Sequence, residues 1–442
     1  MAEFREENLS KSDIGNEHHT TVRPDPVRTG PLSEAKLLGR RTPPVAAATP
    51  HRPVAQPLDG YRSLAGLLFG YALLIAGNGL FQTLIPLRML HTGASTFIVG
   101  LVQSCYYGGF VAGAVFNRRL IDRIGQHRTF VAFAAAVAIL ASAFNVFASP
   151  WAWAPIRLLT GFAFMGLYTS IESWLNGTSR NENRGQVFGL YAGINYLAVG
   201  TGQFLLRLGD GSDGRLFSLV AALFAAAVMP VSLFEGWPVR VADESLNRLP
   251  AHTWRDSLRS MAHASPLAIP GCILAGFLYS TFYSMTPVFL ERTGFSTSDL
   301  STFMGVALIG ALVPQWPMGR LSDRIDRRSL VHVTALISMS ISLTLAVFHV
   351  SAIVWVGMLA YVAVTFTQYS LIVSHVNDRT EPHLRVAVSA TLLLLFSIGG
   401  LIGPAIASLL MTAIGPRGLF VFNACSSLMM ALSAKRAQRA MR

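Results

Sequence analysis

The feature that most constrains this chain is a series of twelve apolar blocks, each near the roughly 20 residues that cross a bilayer as a helix. They lie near residues 64–88, 95–117, 129–148, 151–176, 187–207, 216–236, 266–290, 297–318, 330–349, 352–377, 386–411 and 415–434. Hydrophobic residues make up 52% of the chain and charged residues only 13%, too few charges to cover a soluble protein of this size. The pattern predicts an all-α membrane protein with twelve transmembrane helices.

The distribution of Lys and Arg predicts the orientation of these helices. With both termini inside, 20 Lys and Arg lie in the inner connections and the C-terminal tail, against five in the outer connections (Arg88, Arg207, Arg215, Arg292 and Arg417). Inner loops of membrane proteins are enriched in positive charge. We therefore expect both termini to be cytoplasmic. The net charge of +12 follows from this topology and does not indicate a nucleic-acid partner.

Two segments differ from the apolar blocks. Residues 1–61 contain scattered charges and many prolines, a composition typical of disorder. Residues 237–265 form a polar linker in which Trp254, Leu258 and Met261 recur at helical spacing, which predicts a short helix on the membrane surface. The expected organisation is a cytoplasmic arm, a six-helix half over 62–236, this linker, a second half over 266–434 and a basic tail over 435–442.

An internal repeat relates the two halves. A shift of 201 residues aligns Thr92-Gly93 and Ser95 with Thr293-Gly294 and Ser296. The same shift aligns Leu120-Ile-Asp-Arg-Ile with Leu321-Ser-Asp-Arg-Ile, and Tyr168 with Tyr369. Because the matched residues are mainly polar or Gly, shared hydrophobicity does not explain them. Two pseudo-symmetric six-helix halves in the same orientation are typical of transporters whose substrate site lies between the halves.

The repeated loop carries a recognisable motif. Its fuller copy runs Gly319-Arg-Leu-Ser-Asp323-Arg324, and the first copy includes Asp122-Arg123 but has Arg118 where the leading Gly is expected. With Arg157-Leu-Leu-Thr-Gly161, these residues resemble motifs of the major facilitator superfamily, and the resemblance covers the chain apart from the N-terminal arm. Glu172-Ser-Trp-Leu-Asn and Gln315-Trp-Pro-Met are similar to the YcaD-like bacterial branch.

The resemblance implies the major facilitator fold and gates formed by Asp122, Arg123, Gly319, Asp323 and Arg324. A carboxylate beside several arginines at a helix end can form an ion cluster in one conformation and lose it in the other. Arg157 and Glu172 are ionisable groups inside predicted spans, which makes both candidates for coupling. Glu172 has two interpretations: it carries a proton, or it pairs with Arg123 or Arg128 as part of the gate.

The superfamily lines its substrate cavity with helices 1, 4, 7 and 10 of the twelve. The candidates on these helices are Asn78, Gln82, Tyr168, Tyr279, Tyr283, Tyr361, Gln368 and His375. Aromatic and amide groups with few charges suit an uncharged or weakly polar molecule, although hydrogen bonds between helices would also explain them individually.

No metal-binding, phosphate-binding or nucleophile motif appears in the sequence, so we expect neither an enzyme nor a cofactor. The sequence favours a secondary transporter of a small molecule, coupled to protons and functional as a monomer. The exporter-type Gly-Pro pattern is missing from the fifth helix, so no direction is assigned. The alternative is a membrane sensor or assembly protein that retains the fold without transport.

Overall fold

The computed structural model describes residues 57–147, 149–179, 183–209, 214–233, 258–259, 261, 265–348, 351–381 and 384–439. These residues are almost entirely helical, and no strand occurs among them. Most of the N-terminal arm and most of the linker lie outside the described residues. Arm residues from Pro57 onward already belong to the first helix, since a helix can continue beyond the apolar stretch that marks its span.

The first half contains seven α-helices in the described residues, with a short 3-10 helix (Leu205–Leu208) after the fifth. These are α1 (Pro57–His91), α2 (Thr96–Ile124), α3 (Gln126–Val146), α4 (Pro150–Thr178), α5 (Arg184–Phe204), α6 (Arg215–Ala226) and α7 (Val228–Leu233). The last two follow each other closely and form one span.

The described part of the second half also contains seven helices. These are α8 (Ala268–Arg292), α9 (Thr297–Gly310), α10 (Gln315–Ser322), α11 (Arg327–Val347), α12 (Ser351–Arg379), α13 (Arg385–Ile414) and α14 (Gly418–Arg439). Here α9 and α10 together make one span.

The predicted spans agree with these helices. Ten helical units in the described chain are long and apolar enough to cross a membrane, and the remaining two predicted spans correspond to α4 and α5. Large apolar side chains remain exposed on the outside of the bundle, including Ile139, Met229 and Val356. Lipid tails can cover such side chains, whereas a soluble protein would expose them to water.

The two halves pack by the same plan. In the first half α1 packs against α5 and α6, and α3 packs against α4 and α6; in the second, α8 packs against α13 and α14, and α11 packs against α12 and α14. The repeat-related glycines show why. A Cβ on Gly202 would overlap the backbone of Ala76, and one on Gly403 would crowd the backbone of Phe277, which lies 201 residues after Ala76. The repeated Gly therefore permits a close helix crossing in each half.

The best-matched repeat segment forms the same turn twice. Gly93 and Gly294 both have positive φ, 81° and 82°, a region that favours glycine. Ser95 then accepts a hydrogen bond from the backbone N–H of Ile98, and Ser296 accepts one from Asp299. The repeated Thr-Gly-x-Ser pattern thus corresponds to a helix end followed by the N-cap of the next helix.

The linker is described only at a few positions. Leu258, Arg259 and Met261 are helical, and Met261 is fully buried in the core of the second half beside Leu267 and Cys272. The short helix predicted to lie on the membrane surface therefore packs against protein at this position. Trp254 lies outside the described residues.

Candidate functional site

The site lies along the seam between the halves. We call the membrane side where α2 meets α3, and α10 meets α11, the arginine-rich side. The arginine-poor side is the one where α1 meets α2, and α8 meets α9. Across the seam, α2 packs against α13, α5 against α9 and α1 against α8.

On the arginine-poor side the halves are in tight contact. A Cβ on Gly100 of α2 would overlap Ser408 of α13, and one on Gly200 of α5 would lie 2.5 Å from Ile309 Cγ1 of α9. His91 Nε2 lies 3.1 Å from Glu291 Oε1. These contacts join the two halves by helix packing and by a polar pair, and so close this side.

On the arginine-rich side the same helices diverge. Gly193 and Gly189 lie seven and eleven residues before Gly200, on the same face of α5, and a Cβ at either would meet no atom within 4 Å. Val115 and Phe116, near the end of α2, are more than half exposed. The structure is open toward the arginine-rich side.

The first half presents a tyrosine cluster to this opening. Tyr71 stacks on Tyr191 with ring centroids 4.7 Å apart, and its hydroxyl donates a hydrogen bond of 2.7 Å to Asn195 Oδ1. The ring of Tyr168 lies edge-on to Tyr71. Tyr191 also brings its hydroxyl within 3.5 Å of Glu172 Oε1, and the Glu172 side chain is exposed to the open space. A carboxylate thus lies beside the tyrosines.

The second half presents a matching aromatic cluster. Tyr279 and Tyr283 bring their hydroxyls within 3.4 Å, and the Tyr279 ring packs on Phe366 and Phe396 at 4.7 and 5.4 Å. Tyr369, which the repeat aligns with Tyr168, packs on Phe396 with ring centroids 4.6 Å apart. These rings form the wall opposite the first-half tyrosines.

Two contacts join the clusters. A Cβ added to Gly400 of α13, one turn after Phe396, would overlap the ring of Tyr107 in the first half, and Tyr279 lies near Tyr71, Tyr106, Tyr107 and Tyr168. Gln315 Nε2 donates a hydrogen bond of 3.2 Å to the hydroxyl of Tyr196. The predicted candidates Tyr168, Tyr279 and Tyr283 therefore come together at the seam.

A polar group lies behind this wall, toward the arginine-poor side. Arg157 Nη2 donates a hydrogen bond of 2.6 Å to Gln82 Oε1, and the guanidinium lies 4.4 Å from the ring centroid of Tyr106. Asn78, one turn before Gln82, is also buried. The structure therefore joins Arg157 to the predicted pair Asn78 and Gln82.

The predicted stripe on α12 lies elsewhere. Gln368 is fully buried and donates to Ser338 Oγ of α11 at 3.1 Å. His375 lies 3.0 Å from Ser265 Oγ, and Tyr361 is buried on the same stripe of α12. All three were predicted to line the cavity between the halves, but Gln368 and His375 make these hydrogen bonds within the second half, Gln368 to α11 and His375 to the residue three positions before α8. The α12 residues at the seam are Phe366 and Tyr369.

Sequence and structure comparisons identify the family. The family model of the Major Facilitator Superfamily matches residues 67–391 and 315–437. The chain belongs to the major facilitator superfamily. It is a multi-pass membrane transporter and not an enzyme.

Relatives and solved structures of the superfamily agree with this assignment. The chain is 27% identical over 363 residues to the uncharacterized MFS-type transporter YcaD of Salmonella newport, covering 82% of this chain and 92% of YcaD. The same identity and coverage hold for YcaD of Salmonella typhi. The YcaD-like branch predicted from the sequence is confirmed.

Two crystal structures of superfamily members share the fold. A mutant of the nucleoside transporter NupG superposes with a TM-score of 0.73 at 14% identity, covering 85% of this chain and 99% of NupG. A bacterial homolog of the human lysosomal transporter Spinster, inward-facing and unoccupied, gives 0.72 at 15% identity, covering 87% and 98% of the two chains.

The superfamily loop motif differs between the two halves. Arg327 contacts Asp323 at 3.4 Å and Asp378 at 3.2 Å, so the second copy forms its ion cluster within its own half. The pKa of Asp326 would rise with its partial burial, but the adjacent Arg328 guanidinium outweighs this effect and holds the pKa below its usual range. A Cβ added to Gly319 would meet no atom within 4 Å, and Arg324 is exposed.

The first copy of the motif has no such cluster in this conformation. Asp122 and Arg123 are both exposed at the end of α2, and neither forms an ion pair with another described residue. Nor does Glu172 pair with Arg123 or Arg128 within the described residues; its hydroxyl partner is Tyr191. The ion pair between Glu172 and Arg123 or Arg128 is thus absent from the described conformation. This agrees with the separation of the two halves on the arginine-rich side.

Several residues at the seam were not predicted from the sequence. Tyr369 could have been found, because it is aligned with Tyr168 by the repeat and Tyr168 was a candidate. Tyr71 lies seven residues before Asn78 on the same face of α1, a second available signal. Phe366, Phe396 and Tyr191 are apolar or aromatic residues in apolar helices, and nothing in the sequence separates them from residues that face lipid.

Proposed function

We propose that the protein is a proton-coupled secondary active transporter that moves a small molecule by alternating access. The main support for this proposal is the difference in packing along the seam between the halves. One continuous face of α5 packs against α9 at Gly200, whereas the same face has no neighbouring atoms at Gly193 and Gly189. A rocking motion that parted Gly200 from Ile309 and closed the empty stretch would open the site to the other side. The aromatic walls between the two ends would then be exposed to each side in turn.

The arginine-rich side is proposed to face the cytoplasm of a bacterial inner membrane. This assignment rests on the excess of Lys and Arg in its loops and in the C-terminal tail. It places both termini in the cytoplasm and makes the described conformation inward-facing. Each chain contains both halves of the site, so a monomer suffices as the functional unit.

Glu172 is proposed as the proton-carrying group. Its carboxylate lies beside Tyr191, is open to the arginine-rich side and has neither Arg123 nor Arg128 as a partner. A group that a proton can reach from one side in one state, and from the other side in the second, couples proton movement to the exchange of states. Tyr71 and Tyr191, stacked next to it, could deliver the proton toward the seam.

Distance measurements between spin labels test the alternating-access part. Leu120 and Leu321 are repeat-related and exposed on the arginine-rich side; Phe97 and Ser298 are repeat-related and exposed on the other side. In a cysteine-free background, double electron–electron resonance on each pair should give two populations. Conditions that shorten the 120–321 distance should lengthen the 97–298 distance. A single unchanging distance for both pairs under every condition would favour the sensor or assembly alternative.

The same labels test Glu172 without a known substrate. If Glu172 binds a proton more tightly in one state, the ratio of the two populations should change with pH by up to about tenfold per pH unit. Glu172→Gln should remove this dependence, and Glu172→Asp, which still titrates, should keep it. Equal pH dependence in the Gln variant and the parent would rule out Glu172 as the carrier.

A further inference from the structure

Arg157 is a buried cation with no counter-charge in the part of the chain that the structure describes. It lies in α4, about two turns from the arginine-poor end, and only 1% of its surface is exposed. Its one hydrogen-bond partner there is the neutral amide oxygen of Gln82. No carboxylate among the described residues forms an ion pair with it. The rings of Tyr106 and Phe81, at 4.4 and 5.8 Å, provide the remaining contacts with the charge.

Two of its nitrogens find no partner among the described residues. Nε and Nη1 are buried and make no hydrogen bond, and the nearby Asn78 Oδ1 is also buried and unpaired. An unpaired charge inside a membrane protein costs several kcal/mol. Snorkelling does not relieve this cost, because the guanidinium itself is buried. A carboxylate held by two parallel hydrogen bonds uses Nη2 together with either Nε or Nη1, so it would pair one of the two unpaired nitrogens with the second N–H of Nη2, whose first N–H donates to Gln82.

The surroundings suggest the rest of the ligand. Tyr106 covers the guanidinium and makes an edge-on contact with Tyr107, at 5.4 Å. Tyr279 of the opposite half lies near both, and its ring packs on Phe366. A ligand that reached Arg157 from the seam would thus hold its charged end behind Tyr106 and its apolar body among aromatic rings.

We propose that Arg157 binds the carboxylate of an organic anion with an aromatic or other apolar body, and that this anion is the class of substrate transported. The assignment rests on the transport function proposed above. It changes the expectation from the sequence, where the cavity candidates suggested an uncharged or weakly polar molecule. The difference arises because Arg157, treated there as a separate coupling candidate, is hydrogen-bonded to the cavity candidate Gln82. Because Tyr106 covers the guanidinium, this ring would have to move for the anion to reach Arg157.

Binding measurements on the purified full-length protein test this assignment. The probes are 3-phenylpropionate, its carboxamide and acetate, with affinity measured by calorimetry or by quenching of intrinsic fluorescence. 3-Phenylpropionate should bind about 10- to 100-fold more tightly than the carboxamide, the range for hydrogen bonds to a charged group. Acetate should bind weakly because it lacks the apolar body. Equal binding of acid and amide by the parent protein overturns the proposal without any variant.

Substitution separates a binding role from a structural one. Arg157→Gln should remove the preference for the acid and leave amide binding within about twofold. The matched control Arg417→Gln removes an exposed positive charge on the arginine-poor side and should keep the preference. Arg157→Gln removes an unpaired buried charge, which favours the folded protein, and also removes the donor to Gln82 Oε1, which opposes it. The thermal stability of the empty protein should therefore change little. Lost stability together with an unchanged acid preference would show a structural arginine and overturn the assignment.

The two proposals can fail separately. If 3-phenylpropionate binds through Arg157 but the spin-label distances never change, transport fails and the anion site stands. If the distances change with pH but the amide binds as well as the acid, alternating access stands and the substrate class is wrong.

Discussion

Substituting Ala for Gly at two positions of α5 should shift the conformational equilibrium in opposite directions, because Gly200 is packed against the other half and Gly193 faces open space. Gly200→Ala would place a Cβ 2.5 Å from Ile309 Cγ1 and 3.0 Å from the backbone oxygen of Gly305. Gly193→Ala adds the same methyl group where nothing lies within 4 Å. Both substitutions stabilise the α5 helix by about 1 kcal/mol. Because this gain is the same in the two conformations, it does not change the ratio of their populations.

The magnitude follows from the neighbours of the added methyl group. Cγ1 of Ile309 is attached directly to Cβ, and χ1 of a helical Ile is stiff. The Gly305 oxygen belongs to the backbone of α9, so neither atom yields unless the helices separate. Overpacking of this kind costs about 1–3 kcal/mol. A penalty of that size on the described state changes its ratio to the alternate state by a factor of about 5–150.

The assay is the pair of spin-label distances at 120–321 and 97–298, with the parent measured alongside. Gly200→Ala should raise the population with the longer 97–298 distance. Gly193→Ala should leave the described state unaffected and disfavour the state in which α5 closes against α9 and α10, so it should shift the ratio the other way. If Gly200→Ala leaves both distributions unchanged, or if both variants shift them in the same direction, the seam is not the moving surface.

Two further predictions concern the arginine-rich side. Asp122→Asn should leave the described state unaffected, because Asp122 pairs with no other described residue there. Asp323→Asn should release Arg327 from one of its two carboxylates. If the loops act as gates, the accessibility of cysteine labels from each side of the membrane should change in both variants; if the loops only set topology, it should stay constant. Reporter fusions at Asp243 and Arg439 should report the cytoplasm and one at Asp210 the periplasm, and a periplasmic result at Asp243 would contradict the inward orientation of the linker.

The sequence by itself determined the number, order and repeat relation of the helices. Hydropathy over about 20 residues depends on the bilayer thickness and not on neighbouring helices, so the predicted spans match the helices closely. The repeated Thr-Gly-x-Ser turn was equally local: Gly93 and Gly294 take positive φ, and Ser95 and Ser296 cap the next helix. The motif residues that identified the superfamily were readable for the same reason.

Tertiary structure alone decided which face of each helix meets the seam. A helix in lipid can be apolar on every side, so its sequence carries little information about its rotation within the bundle. Gln368 and His375 were therefore assigned to the cavity together with Tyr361, although their side chains form hydrogen bonds within the second half. Conversely, nothing in the sequence indicated that Arg157 would meet Gln82 at 2.6 Å, across 75 residues of chain.

The side on which the structure is open was also decided only in three dimensions. The two halves carry matched motifs, and their repeat symmetry favours neither side. Which side closes depends on small differences between packed interfaces, such as Gly200 against Ile309 and His91 against Glu291. Such differences amount to a few kcal/mol between two states of one chain, and they arise from contacts between residues about 100 to 200 positions apart, which no local pattern in the sequence records.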